Sequence, residues 1–392
     1  MRILVLTPRF PLPTVKGDKL RSWQIIRTLA AEHDVTLLSY VGSKEEYKLI
    51  GEVEKTCKVE TVPFNVAFRG FELLKGIGGT KPYQVHLYDS PQMSNRIKNL
   101  LAHSDVVHLS SLRMAGNLPL HIDSKLVVDF IDALSLNFKR RAEGAGFPLK
   151  GLLKEELMRL IRFEADLIQR SDLALAVAPV DALALGEKVK IVPISVDLET
   201  FHPPERGASR SDIIFTGNLN YGPNVEAAIY MAREILPLVL KKCPGTKLRL
   251  VGANPCPKVR ALASGNVLIT GYVPSIADEI RKARVAVAPL RSGSGLQCKI
   301  LEAIACATPV VSTSIANAGV MAETGKEILV ADDPGSFAAS VVTLLKDEAK
   351  AAEIGHNGRA FVMENFSRDR IGRLVLEFYG SLDEGKREGL QY

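Results

Sequence analysis

The chain has 392 residues, 46% of them hydrophobic and 24% charged, a balance that excludes a disordered or fibrous protein and provides for about two domains of ordinary size. A net charge of +6 with a pI near 8.9 suits an anionic partner, but no arginine-rich stripe with interleaved aromatics argues for nucleic acid. No run of about 18 apolar residues is present, and the first apolar stretch is too short for a signal peptide, so the expectation is a soluble, cytoplasmic protein.

In chain order, apolar runs over 3–6 and 35–40 flank a helical pattern over 19–32, which is a βαβ beginning. The residues after the first strand, Thr7-Pro-Arg-Phe-Pro-Leu-Pro, contain no GxGxxG and so argue against an NAD-dependent oxidoreductase. The segment 63–88 carries Phe64, Phe68, Phe71, Leu73, Leu74 and Tyr83 among basic residues and glycines; it reads either as an irregular packed excursion or as a membrane-surface contact. Strands follow over 106–109, 126–130, 173–178 and 190–192, with a long helix over 149–169. Residues 197–212 are polar, hold Pro203, Pro204 and Gly207, and have no hydrophobic period, which marks a domain boundary. A second α/β series restarts with strands over 213–216, 247–251, 267–270, 285–288, 309–312 and 328–330 and helices over 224–242, 276–283 and from about 335. The domains are therefore 1–200 and 201–366, both Rossmann-like, with a helical segment 367–392 expected to return to the first. Cys57, Cys243, Cys256, Cys298 and Cys306 form no CxxC pair and no zinc spacing, so reduced thiols and no metal are expected.

The most informative stretch is Ser292-Gly-Ser-Gly-Leu-Gln-Cys-Lys-Ile-Leu-Glu302, a glycine-rich turn between a buried strand and a helix. Glycines there permit positive φ and close approach to the backbone, and the first N–H groups of a helix favour an anion. Lys299 and Glu302 are three residues apart and share a helix face. A lysine in the first helical turn is poorly placed for the helix dipole, so the pair reads either as a surface ion pair worth about 0–1 kcal/mol or as a grip on a diphosphate ligand.

Four segments carry a resemblance: Asp212-Ile-Ile-Phe-Thr-Gly-Asn-Leu-Asn-Tyr-Gly-Pro-Asn-Val-Glu-Ala-Ala228, Leu248-Arg-Leu-Val-Gly-Ala-Asn-Pro255, Val267-Leu-Ile-Thr-Gly-Tyr-Val273 and Lys299-Ile-Leu-Glu302-Ala-Ile-Ala. In order and spacing they resemble the retaining, group 1 GT-B glycosyltransferases of family 4. With Gly17-Asp18-Lys19-Leu20-Arg21 and Val128-Asp129-Phe130-Ile131-Asp132, the chain is similar to the sugar transferases associated with PEP-CTERM and exosortase exopolysaccharide systems. The resemblance implies an α/β GT-B fold, two doubly wound domains facing across a cleft. It implies a donor that is a UDP- or GDP-linked sugar, with no further cofactor, and a saccharide or lipid-linked saccharide acceptor. Peripheral contact with the inner membrane is also expected.

By the same resemblance Glu302 would accept hydrogen bonds from the ribose hydroxyls, the turn from Ser292 through Ser294 and Gly295 to Leu296 would meet the diphosphate, and Lys299 would stabilise the leaving group. Gly217, Asn218 and Val273 would line the nucleotide pocket, and Gly17 would sit in a loop that closes over the donor. His108 is either near the reacting sugar or a histidine satisfied at a strand end; Asp129 and Asp132 either orient an acceptor hydroxyl or cap a turn. Departures from the family pattern are Ser294 in place of the first paired acid, Asn218 and Pro223 in place of an arginine and a lysine, and Ile194-Ser195 before the linker. These leave Lys299, with Arg291 or Arg21, to carry the phosphate charge. A UDP-N-acetylglucosamine 2-epimerase and a non-catalytic nucleotide- or glycan-binding protein are the alternatives on the same architecture.

Overall fold

The computed structural model describes residues 1–14, 16–64, 76, 78–205, 207, 210–293 and 295–388, with the side chains of 383–388 excepted. The chain divides into two compact units, Met1–Ile194 with Ile371–Tyr392, and Ser195–Arg370.

Unit 1 is built on seven strands: β1 (Arg2–Thr7), β2 (Asp34–Val41), β3 (Lys58–Pro63), β4 (Val106–Ser110), β5 (Lys125–Asp129), β6 (Leu173–Ala176) and β7 (Val189–Ile191). They pair in the order β3-β2-β1-β4-β5-β6-β7, every pair parallel. The apolar run of β1 is continuous because both faces are covered: Leu4 and Leu6 enter one core, Ile3 and Val5 the other. Helix α1 (Gly17–Ala30) covers the second face with Ile25, Ile26 and Leu29. Helix α2 (Leu134–Glu143) is followed by the long α3 (Leu149–Arg170), which adds Leu153, Leu160, Leu167 and Ile168 to the first core. The C-terminal part of the chain places Ile371, Val375, Tyr379 and Leu382, at helical spacing, on the same face as α1.

Unit 2 holds β8 (Ser211–Thr216), β9 (Leu248–Val251), β10 (Val267–Gly271), β11 (Ala283–Ala288), β12 (Val310–Ser312) and β13 (Leu329–Val330), ordered β10-β9-β8-β11-β12-β13 and all parallel. In each sheet the winding reverses once, between β1 and β4 in unit 1 and between β8 and β11 in unit 2. Loops that leave the carboxyl ends of strands at such a reversal diverge and leave a crevice, the usual ligand position in open α/β sheets. After β8 comes α4 (Gly222–Tyr230), and after β11 comes α5 (Cys298–Ala305).

Among the elements that differ from the sequence reading, three have a plain physical cause. The strand β3 was not expected, because as an edge strand it buries only Val62 and so lacks an apolar run. The expected helix 224–242 is α4 followed by a π turn, Met231–Ile235, and a short helix, Leu236–Leu240; Pro237 has no N–H for the α ladder. The helix Glu348–Phe366 was also missed, since Gly355 and Gly358 replace part of its apolar stripe. A Cβ at these glycines would lie 2.6 Å from the Ala307 carbonyl oxygen and 2.8 Å from that of Glu327, so backbone approach has taken the place of side-chain packing. Of the segment 63–88, Phe64 packs on Tyr88 and Tyr40, whereas Phe68, Phe71, Leu73 and Leu74 lie outside the described residues.

Candidate functional site

The crevice of unit 2 is made by two loops, one leaving β8 and one leaving β11. The β8 loop begins at Gly217, with φ +151, a conformation open to glycine but strained for other residues. A Cβ there would lie 2.8 Å from Asn224 Nδ2 and 3.2 Å from Lys299 Nζ. A Cβ at Gly252, after β9, would lie 1.8 Å from the Gly217 carbonyl oxygen, so backbone contact alone requires a glycine at 252. The turn is closed locally by Asn218, whose Oδ1 accepts from Asn220 N and whose carbonyl accepts from Asn224 Nδ2 at 3.0 Å.

The β11 loop carries the positive-φ residues Gly293 and Gly295 and enters α5. Ile300, Leu301, Ala303 and Ile304 are buried against the sheet and orient the helix, leaving Lys299 and Glu302 partly exposed. Lys299 Nζ donates to Asn224 Oδ1 at 2.5 Å and lies 4.7 Å from the centre of the Phe215 ring. Burial lowers the lysine to about 8, against the pull of Glu302. Glu302 is raised to about 7 by burial, opposed by Lys299, and its carboxyl has no hydrogen bond or ion pair among the described residues. The two charges therefore act on one another without forming the surface ion pair that their spacing permits. A desolvated ammonium held by a neutral amide and an unpartnered carboxyl on one helix together suit a ligand with both anionic and hydroxyl groups.

Other expected residues are distributed around this centre. Val273 follows β10 and is half-buried on the unit 2 core, and Leu296 is half-buried on the same core. Gly295 is buried, and a Cβ on Gly319 would meet its carbonyl oxygen at 2.5 Å. Arg291 is exposed and stacks its guanidinium 5.0 Å from the Tyr230 ring centre, an engagement that the sequence did not suggest. Ser294 lies outside the described residues. Asn224, not singled out from the sequence, stands beside the noted Pro223 in the first turn of α4, and it is buried there.

In unit 1 the structure favours the satisfied-histidine reading of His108 and the local, turn-capping reading of Asp129, and it gives Arg21 and Gly17 other surroundings than expected. His108 is not at an open strand end: it is fully buried, its Nδ1 lies 2.6 Å from the Tyr379 hydroxyl, and desolvation lowers it to about 4. Asp129 is not free to orient an acceptor. Its Oδ2 accepts from Arg21 Nε at 2.8 Å, its Oδ1 accepts from Ile131 N, and both partners of the ion pair are 1% exposed. Arg21 in turn donates to the Pro193 carbonyl oxygen, so it is not available to a phosphate, and Lys19 is paired with Glu46 at 2.6 Å. Gly17 is exposed at the first position of α1, where a Cβ would meet nothing within 4 Å, so neither packing nor φ requires a glycine.

The fold of the chain is the GT-B type, two parallel α/β sheets each wound on both faces, as in the Anabaena HepE structure solved with UDP and glucose. That structure is 15% identical, superposes with a TM-score of 0.67, and is covered to 100% by 97% of this chain. Residues 210–347, which contain the crevice of unit 2, match the family described as glycosyl transferases group 1. An uncharacterized 44.6 kDa protein of the cps region of Klebsiella pneumoniae is 26% identical over 171 residues, 41% of this chain and 44% of the relative. The lipopolysaccharide core biosynthesis mannosyltransferase LpcC of Rhizobium leguminosarum bv. viciae is 26% identical over 237 residues, 55% of this chain and 66% of the relative. The matches thus span between about half and two thirds of these curated relatives.

Proposed function

We propose that the protein is a glycosyltransferase that moves a sugar from a nucleoside diphosphate sugar to a hydroxyl of a saccharide in cell-surface or exopolysaccharide synthesis, with retention of anomeric configuration. The observation that carries this reading is the pairing, on α5, of a desolvated Lys299 held by Asn224 with a Glu302 whose carboxyl has no hydrogen bond or ion pair among the described residues. The family match over the same residues, the mannosyltransferase and cps-region relatives, and a neighbour of the same fold bound to UDP and glucose support it.

In this reading the ionised Glu302 accepts from two adjacent ribose hydroxyls, a task for an acceptor-only group with two oxygens. Lys299 and the amides of the β11 loop stabilise the charge that develops on the departing diphosphate, where a pre-oriented cation in a dry site is worth most. The glycosidic C–O bond to the diphosphate breaks as the acceptor oxygen bonds to the same face of the anomeric carbon. The hydroxyl proton passes to the leaving phosphate oxygen. Incubation with UDP- or GDP-hexoses and a lipid-diphosphate-linked saccharide tests this directly. An extended saccharide with the donor's anomeric configuration and free nucleoside diphosphate are expected; conversion of the donor sugar to an epimer without acceptor would overturn the reading.

The acceptor is lipid-linked in this account, and the protein meets a membrane surface through the α2–α3 turn. No described helix is long and apolar enough to cross a membrane. At the turn, however, Phe147 is 95% exposed and Leu149 and Leu152 are exposed beside Lys150 and Lys154. Apolar tips among cations suit an anionic interface. Replacing Phe147 and Leu149 with serine should reduce co-sedimentation with phosphatidylglycerol vesicles several-fold; unchanged co-sedimentation would remove this surface from the account.

A further inference from the structure

Unit 1 has its own winding reversal, between β1 and β4, and the loops that leave those two strands each carry an arginine: Arg9 after β1 and Arg113 after β4. Asp132 follows the next strand, β5. The three side chains are therefore delivered to the same edge of the sheet, at the position where an open α/β sheet leaves a crevice.

Arg113 is held by neutral groups. Its Nε and Nη2 donate to Gln84 Oε1 at 3.2 and 3.1 Å, its Nη1 donates to Ser111 Oγ, and no carboxylate is within ion-pair distance among the described residues. Burial lowers its pKa, with Tyr88, Asp18 and Asp132 pulling the other way and Arg9 adding to the lowering. Arg9 itself is tied to Asp18 at 2.6 Å and to the Tyr88 hydroxyl. Bringing two guanidinium groups together and desolvating one with no carboxylate in direct contact, Asp18 and Asp132 acting only at longer range, is unfavourable, and an anion between them would offset that cost. Asp132 lies partly exposed on the same edge, pushed up to about 7 by burial and by the neighbouring Asp181, with Arg113 opposing. Asp181 is fully buried; its Oδ1 accepts from Ala133 N at 3.0 Å, and its Oδ2 has no hydrogen-bond partner among the described residues. A carboxyl group in such surroundings is suited to a hydroxyl of the same ligand.

We propose that unit 1 binds an anionic saccharide, with its phosphate or carboxylate between Arg113 and Arg9 and a neighbouring hydroxyl on Asp132. This rests on the reading of the protein as a glycosyltransferase and specifies its acceptor: the sugar that receives the transfer carries a negative charge close to the reactive hydroxyl. The arrangement is independent of α5, so the two sites can be tested apart.

The test is calorimetric titration of the full chain with inorganic phosphate, glucose 1-phosphate, glucuronate and, as a neutral control, methyl glucoside. The charged probes should bind and methyl glucoside should not. Arg113→Gln should weaken the charged probes by about tenfold or more, as expected for loss of a charge-assisted contact, whereas Lys299→Ala should leave this binding in place. Arg9→Gln, on a more exposed side chain, should weaken the same probes and guards against misfolding of the Arg113 variant. Asp132→Asn should erase the advantage of glucose 1-phosphate over phosphate. Tighter binding of glucose 1-phosphate assigns the charge to a phosphate-linked acceptor, and tighter binding of glucuronate to an acidic sugar. Phosphate affinity unchanged in both arginine variants, or abolished by Lys299→Ala alone, would overturn the proposal. Because no probe contains a nucleotide, a failure here is distinct from a failure of donor transfer.

Discussion

Replacing Lys299 with alanine should lower transfer by a factor of at least about a hundred, as expected when a pre-oriented group that stabilises developing charge is removed. The fold should be unaffected, because among the described residues the ammonium group hydrogen-bonds only to Asn224 and its loss relieves a desolvated charge. Glu302→Gln should show the same division. Burial raises this carboxyl from about 4.5 to about 7, with Lys299 opposing, so it opposes folding increasingly as the pH rises from about 4.5 to 7 and fully above that. Glutamine removes that opposition, and thermal denaturation at pH 8 should give a melting temperature equal to or above the parent's. Binding of a sugar nucleotide should meanwhile be lost. In the parent, Glu302 must be ionised and Lys299 protonated for the ligand, so affinity should be greatest between about pH 7 and 8 and fall on both sides; the limits belong to the coupled pair. A pH-independent affinity would separate these residues from the ligand.

The second large effect is expected on stability. Asp129→Ala leaves the Arg21 guanidinium, 1% exposed, with only the Pro193 carbonyl oxygen, and removal of one partner of a buried pair costs about 3–5 kcal/mol. Against a total of about 5–15 kcal/mol for a native protein this is a large fraction. Urea denaturation of unit 1 should shift accordingly, and the double variant Arg21→Met with Asp129→Ala should recover much of the loss. If Asp129 acted on an acceptor instead, Asp129→Asn would depress turnover while the denaturation midpoint stayed in place.

These two cases also show what the sequence could and could not reveal. The central strands of both sheets are legible because runs such as Ile3 to Leu6 and Val285 to Ala288 are apolar on both faces, the pattern of strands in a covered parallel sheet, whereas the edge strand β3 lacks it. Lys299 and Glu302 stood out for a local reason: a lysine in the first turn of a helix that follows glycines is poorly explained by helix stability. The roles of His108 and Asp129 depended on distant residues. The partner of His108 is Tyr379, 271 positions away, and that of Asp129 is Arg21, 108 positions away. Strand position alone placed Asp129 and Asp132 together, but the ion pair to Arg21 separates a structural carboxylate from one left beside Arg113. Arg9 and Arg113 were not singled out, because nothing in their neighbours signals that the sheet winding brings them to one edge.

The most direct test of the central claim is calorimetric titration of the full chain with UDP, GDP and their hexose conjugates, repeated on Lys299→Ala and Glu302→Gln. The account predicts saturable binding of at least one nucleoside diphosphate to the parent and a loss of about tenfold or more in each variant, with melting temperatures preserved. Equal binding by the parent and both folded variants would contradict it, because the nucleotide would then be held somewhere other than the crevice at α5.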